Sequence, residues 1–362
     1  MRLDTKKEIP IFFASDNNYA PYLAVALKSL FVNASPKYFY NIRILTSNIC
    51  SEYKAKILNT MPENASIEFV SVSKELDKIK SKLQLRDYYS METYFRFFIP
   101  SMFPQYKKVL YLDSDIVVTG DISELYNTNI TNYLVAAAPE QVMAHYDVFG
   151  NYVEQALGVK VSKYFNAGIL LINSDMFKAF DILGRFVKLL SRFKFRVTQD
   201  EDYLNVLCKD RVRYLDISWN KMPFNEPDFN DNDIKLIHYN LGWKPWHYDD
   251  VLYQEFFWKY AAQTDFNEML KKTLAEYGDE QKLNDKKSYE NLELLAMEDT
   301  TDPNNYKNTL DRERKGHYIT NGLHRVVKMP GIKYLCRILG NQGYKILYGY
   351  TNRKGQRKIR SS

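Results

Sequence analysis

The chain has 362 residues, 45% of them apolar and 26% charged. That is an ordinary composition for a soluble protein, and it excludes a mainly disordered chain, a collagen-like repeat and a disulfide scaffold. The net charge of +6 is uneven: Arg312 to Ser362 holds 13 Lys and Arg against one acid, Glu313, so the first 311 residues stand at −6.

The three cysteines, Cys50, Cys208 and Cys336, are odd in number and far apart. This fits neither a bridge framework nor a zinc knuckle and points to a reducing compartment. The apolar run Ile9 to Ala14 is too short for the core of a secretory signal. No run approaches the roughly 20 apolar residues of a membrane-spanning helix.

In chain order, Ile9–Ser15 reads as a buried strand, and Tyr22, Leu23, Ala26, Leu27, Leu30 and Phe31 then fall at helical spacing. A strand follows over Asn41–Thr46, a helix near Glu52–Asn59, a strand over Ile67–Val72, a helix over Lys74–Leu83 and a strand over Lys108–Leu112. Strands alternating with helices at this pitch predict a parallel sheet covered on both faces. Beyond Asp121 the pattern turns mixed. Strands are expected over Tyr133–Ala138, Tyr164–Asn173 and Lys235–Tyr239, and a helix over Met176–Phe193 capped by Ser174 or Asp175. A short helix is expected within Thr198–Cys208, and 249–300 reads as helical and polar. Ligands of open parallel sheets sit beyond the carboxyl ends of the strands. That rule singles out Ser15–Tyr19, Asp113–Asp115, Asn173–Asp175 and Tyr239–Trp246.

The sharpest motif is the apolar strand Val109–Leu112 ending in Asp113-Ser114-Asp115. Carboxylates at i and i+2 point to the same side of an extended chain. About 5 Å apart at an effective dielectric of about 20, they repel by about 3 kcal/mol. A partly buried pair therefore favours a divalent cation or a shared proton, and oxygen ligands suit Mg²⁺ or Mn²⁺. An isolated pair of this kind also fits a plain solvated strand end.

The second motif is His238-Tyr239-Asn240-Leu241-Gly242-Trp243-Lys244-Pro245-Trp246. Its imidazole can join the same metal, Gly242 lets backbone approach a ligand, and Lys244 can meet a phosphate. A buried, hydrogen-bonded His beside a Trp-rich corner fits equally well. Arg96, in Thr93-Tyr94-Phe95-Arg96, could reach a phosphate or a sugar hydroxyl, and also fits a surface salt bridge. Gln199-Asp200-Glu201-Asp202 could be simple complementarity to a helix dipole. Ala14-Ser15-Asp16-Asn17-Asn18-Tyr19 could hold a nucleobase or form an Asx turn.

Taken together, these motifs resemble glycosyltransferase family 8, the bacterial retaining transferases that include lipopolysaccharide galactosyl- and glucosyltransferases. The resemblance covers Ile9 to Trp246 and rests on FFASDNNYAPYLAVALKSL, ETYFRFFIP, VLYLDSDIVV, YFNAGILLIN, TQDEDYLN and HYNLGWKPW. It implies an α/β fold of GT-A type, Rossmann-like with a mixed central sheet, and here a helical basic C-terminal appendage.

By the resemblance, Ala14, Asp16, Asn18 and Tyr19 contact uracil and ribose. Asp113, Asp115 and His238 hold Mn²⁺ on the diphosphate, with Mg²⁺ as the other candidate. Lys244 binds the diphosphate, with Gly242 beside it. Arg96, Asn166, Ala167 and Asp200 surround the donor sugar, and Glu201 lies beneath the anomeric carbon. Asp200 and Glu201 are thus the catalytic candidates. The chain departs from the family pattern in two places. Some bacterial members carry Gln where this chain has Glu201, and the Gly of H-x-x-G-x-x-K-P-W is displaced by one residue while the Lys keeps its distance.

The expected activity is retaining transfer of glucose or galactose from a UDP-sugar to a cell-envelope glycan or a lipid-linked glycan. Catalysis is expected in 1–275, with 276–362 as the appendage. There, Arg325, Lys328, Lys333, Arg337 and Lys345 interleave with apolar residues, which suits an interfacial helix on anionic lipid. The expected location is cytoplasmic, peripheral at the inner face of the cell membrane. Nucleic acid is not an expected partner, because the basic charge is confined to the tail. Two rivals read the same residues otherwise: a haloacid-dehalogenase-type phosphatase with Asp113 as nucleophile, or a non-catalytic sugar-binding or membrane scaffold protein.

Overall fold

Strand β1 (Lys7–Ala14) is buried from Ile9 onward on both faces, which is why it reads as an unbroken apolar run rather than an alternating one. In the computed structural model, which describes residues 6–72 and 91–315, this strand lies near the middle of a seven-stranded sheet. Ile9, Ile11, Phe12 and Phe13 are fully buried, each contributing about 1.5–3 kcal/mol.

α1 (Ala20–Asn33) follows with Pro21 in its first turn, where the missing N–H costs nothing. Next come β2 (Tyr38–Thr46), α2 (Ser51–Leu58) and β3 (Ala65–Ser71). β1, β2, β3 and the later β4 (Lys108–Leu112) pair in parallel, as the alternating pattern predicts. The helix expected over Lys74–Leu83 lies outside the described residues.

The second half is mixed. β5 (Ile116–Val118) is followed by β6 (Val135–Ala137), α3 (Gln141–His145) and β7 (Ile169–Asn173). Then come α4 (Ser174–Ala179), α5 (Ile182–Leu190), α6 (Asp200–Cys208), β8 (Val212–Tyr214) and β9 (Leu236–His238). The order across the main sheet is β3-β2-β1-β4-β7-β6-β8, and β5 and β9 form a separate two-stranded ribbon. β7 runs antiparallel to both of its neighbours, β4 and β6.

Two expectations need correcting. Because β7 is reversed, its carboxyl end at Asn173–Asp175 lies at the sheet edge away from Asp113. There Asn173 Oδ1 accepts from the Met176 N–H at 3.1 Å and caps α4. Residues 166–168, just before β7, take the place beside Asp113. The single helix expected over Met176–Phe193 is two helices. Asp181, at φ 48°, turns the backbone left-handed between them, and its Oδ1 accepts from the Gly184 N–H at 3.2 Å to start α5. The last strand, as expected within Lys235–Tyr239, pairs with β5 in the ribbon.

α1 fastens this ribbon. Ser29 Oγ accepts from the Val118 N–H at 2.9 Å, and Asn33 Nδ2 donates to the Val118 carbonyl at 2.9 Å. After the ribbon, α7 (Gln254–Ala261), α8 (Asn267–Glu276) and α9 (Asp279–Thr301) complete the first of two compact units, Met1–Thr301. The second unit is Asp302–Ser362, described as far as a helix over 306–315. The interleaved basic and apolar tail lies outside the described residues. Among the described residues, no helix is long and apolar enough to cross a membrane.

Candidate active site

The site forms where β4 ends. The Asp113 N–H donates to the Gly168 carbonyl at 2.8 Å, which docks the start of β7 against the acidic motif. The ribbon sets Ile116 opposite His238, and the Tyr239 N–H donates to the Asp115 carbonyl at 3.0 Å. Asp113, Asp115 and His238 consequently offer three ligand atoms within 4.8 Å of one another. His238 Nε2 is 3.3 Å from Asp115 Oδ1 and 4.0 Å from Asp113 Oδ2.

These residues fit a divalent cation. His238 Nδ1 lies 2.9 Å from Asn220 Oδ1. Amide oxygen accepts only, so Nδ1 donates to it and Nε2 is the nitrogen turned toward the carboxylates. Lone pairs meeting across 3.3 Å need a cation or a second proton between them. Gly168 leaves the room: a Cβ there would come within 2.4 Å of His238 Cε1 and 2.8 Å of Asp113 Oδ2. Two hard oxygen donors and one imidazole suit Mn²⁺ or Mg²⁺.

Two buried cations flank the cluster. Lys244 Nζ bonds Asp115 Oδ2 and the Tyr239 carbonyl. Arg96 is 4% exposed, so it is not a surface residue. Its Nη2 lies 3.0 Å from Asp113 Oδ1, and its Nε lies 3.2 Å from Asp200 Oδ2 and 2.8 Å from the Thr93 carbonyl. Its guanidinium also covers the Tyr111 ring at 4.4 Å. Burial disfavours the Arg96 charge, but Asp113 and then Asp200 outweigh it and hold the group protonated.

Burial raises Asp113, although Arg96 opposes it. For Asp115, burial is outweighed by Lys244 and His238, which hold its carboxyl below the usual range.

A hydrogen-bonded chain leads from the imidazole to the second acidic group. Asn220 Nδ2 donates to Asn166 Oδ1 at 2.9 Å, and Asn166 Nδ2 donates to Glu201 Oε2 at 3.1 Å. Glu201 Oε2 also accepts from the Ala167 N–H at 2.8 Å. Burial, then the nearby charge of Glu140, pushes Glu201 well up. Burial likewise pushes Glu140 up to about 7 and Asp200 up to about 6. Asp200 Oδ2, out of solvent, has its ion pair with Arg96 and no hydrogen bond beside it, which leaves it capacity to accept from a hydroxyl in the cleft.

Most of the expected residues line this one cleft: Ala14, Asp16, Tyr19, Arg96, Asp113, Asp115, Asn166, Ala167, Asp200, Glu201, His238 and Lys244. Asn18 and Gly242 do not; both line an adjoining hollow with Tyr22 and His247.

The profile of Glycosyl transferase family 8 matches residues 10–250. The chain belongs to glycosyltransferase family 8. It is 27% identical over 248 residues to the lipopolysaccharide 1,3-galactosyltransferase of Salmonella typhimurium, covering 66% of this chain and 72% of the relative. It is 28% identical over 266 residues to the glycosyltransferase GlyB of Streptococcus pneumoniae, covering 69% of this chain and 61% of GlyB, so it spans less than two thirds of GlyB's length. A crystal structure of the galactosyltransferase LgtC in complex with donor and acceptor sugar analogs superposes with a TM-score of 0.59 at 27% identity, covering 71% of this chain and 96% of LgtC. The fold of this family 8 transferase is therefore GT-A type, and the phosphatase reading of Asp113 falls away.

Several residues of the transferase's cleft escape the sequence reading. Glu140, at the carboxyl end of β6, caps α3 by accepting from the Met143 N–H at 2.7 Å. The strand-end rule, extended to the strand expected over Tyr133–Ala138, points to it. Asn220, behind the cleft, ends the short helical turn Ile217–Asn220 and carries no such signal. Gly168, Tyr111 and Ser114 lie inside motifs already singled out, but only the packing shows why each matters. Tyr111 donates its hydroxyl to Asp113 Oδ1 at 2.7 Å, and Ser114 Oγ donates to the Ala14 carbonyl at 3.0 Å.

Behind the cleft, Asp202 accepts from Tyr152 Oη at 2.7 Å, Tyr164 Oη at 2.8 Å and the Thr198 N–H at 3.1 Å. Burial nevertheless pushes it from 3.8 up to about 6. A folded-state value above the unfolded one gives stability that is complete below about pH 4 and lost as pH rises through about 6. Asp202→Asn removes that titration. The decline in urea-unfolding free energy between about pH 4.5 and about pH 7.5 should be shallower in the variant, and an unchanged slope would refute the assignment.

Proposed function

We propose that the chain is a retaining hexosyltransferase that moves glucose or galactose from a UDP-sugar to a cell-envelope glycan, lipid-linked or free, with a divalent cation, Mn²⁺ in first place. The observation that carries this reading is the convergence of Asp113, Asp115 and an Nε2-exposed His238 beside Lys244, with Asp200 and Glu201 facing them across one cleft. The lipopolysaccharide galactosyltransferase activity named for the Salmonella relative supports an envelope glycan as the acceptor class.

A nucleoside diphosphate is already a good leaving group and needs charge neutralisation more than protonation. A cation held by Asp113, Asp115 and His238 would supply Lewis-acid neutralisation of the diphosphate. Lys244 adds a fixed positive charge at the same place, oriented in advance by Asp115 and the Tyr239 carbonyl. Arg96 keeps Asp200 aligned, and Asp200 Oδ2 accepts from a donor-sugar hydroxyl.

Glu201 faces the other side of the sugar. Its surroundings favour the neutral carboxyl, which makes it a poor covalent nucleophile. Its Oε2, fixed by the Asn166 amide and the Ala167 N–H, suits dipolar support of a cationic sugar. That favours acceptor attack on the leaving-group face, with the departing phosphate taking the acceptor's proton.

Residues 1–275 are assigned the transfer reaction, and the basic end from Arg312 is assigned to an anionic membrane surface at the cytoplasmic face.

Three outcomes check this reading. Given a panel of UDP-sugars with Mn²⁺, the protein should release UDP from one hexose donor, and EDTA should abolish the release; release unaffected by EDTA would exclude the metal role. Glu201→Gln should keep at least about a tenth of kcat, whereas a fall of order 10⁴, as for loss of an essential catalytic group, would overturn the preference for attack on the leaving-group face. Deleting Arg312–Ser362 should free the protein from sedimenting anionic liposomes; equal sedimentation with and without the segment would remove the membrane assignment.

A further inference from the structure

α9 has 23 residues, a length of about 35 Å. One face packs on the body. Leu292 and Ala296 are buried, and the Tyr289 ring lies 6.2 Å from that of Tyr146 and 6.0 Å from that of Phe149. The opposite face is open among the described residues. Leu283, Leu294 and Met297 are 50%, 55% and 48% exposed, and Lys287 and Glu290 between them are exposed as well. Leu283 stands half a turn round the helix from Leu292, and Lys287 half a turn from Ala296.

The exposed positions 283, 287, 290, 294 and 297 are separated by four and three residues in alternation. That is the spacing of a seam between two helices. Apolar side chains scattered singly over a surface need no explanation. Here three of the nine large apolar side chains exposed among the described residues share one stripe of one helix.

The order along the stripe is self-complementary. Leu283 and Leu294 lie symmetrically about the point between Ser288 and Tyr289, and so do Lys287 and Glu290. Two copies of α9 laid antiparallel about a two-fold axis at that point set each Leu283 opposite Leu294 of the other copy. They also set each Lys287 opposite Glu290. A two-fold interface requires a patch that is its own complement in this way. A parallel pairing in register would oppose Lys287 to Lys287 and Glu290 to Glu290. Within its own helix Glu290 meets Lys286 at 3.9 Å, a distance that leaves it capacity for a second cation.

Charge also tells against a lipid occupant. α9 carries seven acids and three lysines, a net charge of −4, which an anionic membrane surface repels.

We propose that the solvent face of α9 is a homodimer surface, on which a second copy of this chain pairs its own α9 antiparallel. The leucines supply the burial. The ion pairs set direction and register, since exposed ion pairs add little strength. A single helix stripe is a small interface, so the dimer is of the weak, reversible class.

The test is sedimentation velocity of the full chain from about 1 to about 200 µM, a range suited to weak complexes. The native protein should show a reversible monomer–dimer equilibrium. Leu294→Lys should raise the dissociation constant by about tenfold or more, because it puts an unpaired charge into the apolar contact. Lys287→Glu alone and Glu290→Lys alone should each weaken the dimer by about tenfold, since each sets like charges opposite one another twice. Lys287→Glu combined with Glu290→Lys should return the dissociation constant to within about threefold of the native value, a coupling that damage to the fold does not produce. Circular dichroism should be unchanged throughout, as all three positions face solvent.

A native chain that stays monomeric across the range would overturn the proposal. So would a dimer indifferent to Leu294→Lys, or charge reversals that the double exchange fails to rescue. A chain that dimerises only once Arg312–Ser362 is removed would overturn it too, by making the chain's own tail the occupant of this face.

Discussion

Asp113 and Asp115 reach into the same few ångströms as the imidazole of His238, and two like charges so close in a cleft repel by about 3 kcal/mol at an effective dielectric of about 20. The rest of the cleft is arranged around that repulsion. Arg96 serves one carboxylate and Lys244 the other, but unequally. The guanidinium is divided between Asp113 and Asp200, whereas the ammonium lies on Asp115 alone among the carboxylates, with His238 beside it. The pair therefore splits: Asp113 is raised, chiefly by burial, and Asp115 is lowered once Lys244 and His238 overcome its burial. One firmly ionised carboxylate, one less so and an imidazole nitrogen turned toward both form a donor set that fits a divalent cation.

The reversal of β7 makes this arrangement reachable. In an all-parallel sheet the strand beside β4 would present its carboxyl end to the acidic motif. Here it presents residues 166–168, which bring an amide, a backbone N–H and a Cβ-free position together. Asn166 then accepts from the Gly168 N–H at 2.9 Å and from Asn220, while donating to Glu201. The two amides that link His238 Nδ1 to Glu201 Oε2 have all their polar atoms paired, which is the condition under which a buried polar network rigidifies a site rather than weakening it. The imidazole's orientation and the carboxyl's orientation are thereby fixed by the same two amides.

Much of this is legible in the sequence, for identifiable reasons. β1 and β4 announce themselves because strands buried on both faces are apolar almost throughout, and β2 and β3 by their alternation with helices. The acidic pair stands out because an apolar strand ends on it. The direction of β7 is not legible, because ILLIN reads alike in either sense, and so the strand-end rule selects Asn173–Asp175 at the wrong edge. Arg96 presents the opposite case. Its type and position are visible, but its burial between two aspartates depends on chain segments some 17 and 104 residues away and cannot be read locally. Asn220 leaves no trace at all, since a lone Asn after a helical turn has many ordinary uses. The break at Asp181 is hidden for the same kind of reason: an apolar helical pattern continues across it.

The loop carrying Lys244 explains the chain's departure from the H-x-x-G-x-x-K-P-W spacing. Counting from His238, the family's Gly position is Leu241, and Leu241 is the residue with left-handed backbone, at φ 58°. For a residue with a Cβ that conformation costs about 1–2 kcal/mol. It is held from both sides. Upstream, Tyr239 is tied through its N–H to Asp115 and through its hydroxyl to the Tyr253 carbonyl at 2.6 Å. Downstream, Lys244 returns to the Tyr239 carbonyl, and Trp246 is buried with its ring stacked 3.9 Å from that of Tyr22. The chain must reverse between these anchors, and the left-handed residue at 241 makes the reversal. Gly242 needs no such freedom, and a Cβ there would approach Asp285 only to 3.7 Å, an ordinary contact. The loop thus keeps the backbone shape at 241 without the glycine. In place of the missing conformational ease it gains an apolar side chain between the cleft and the adjoining hollow, where strain is tolerated because packing on either side determines it.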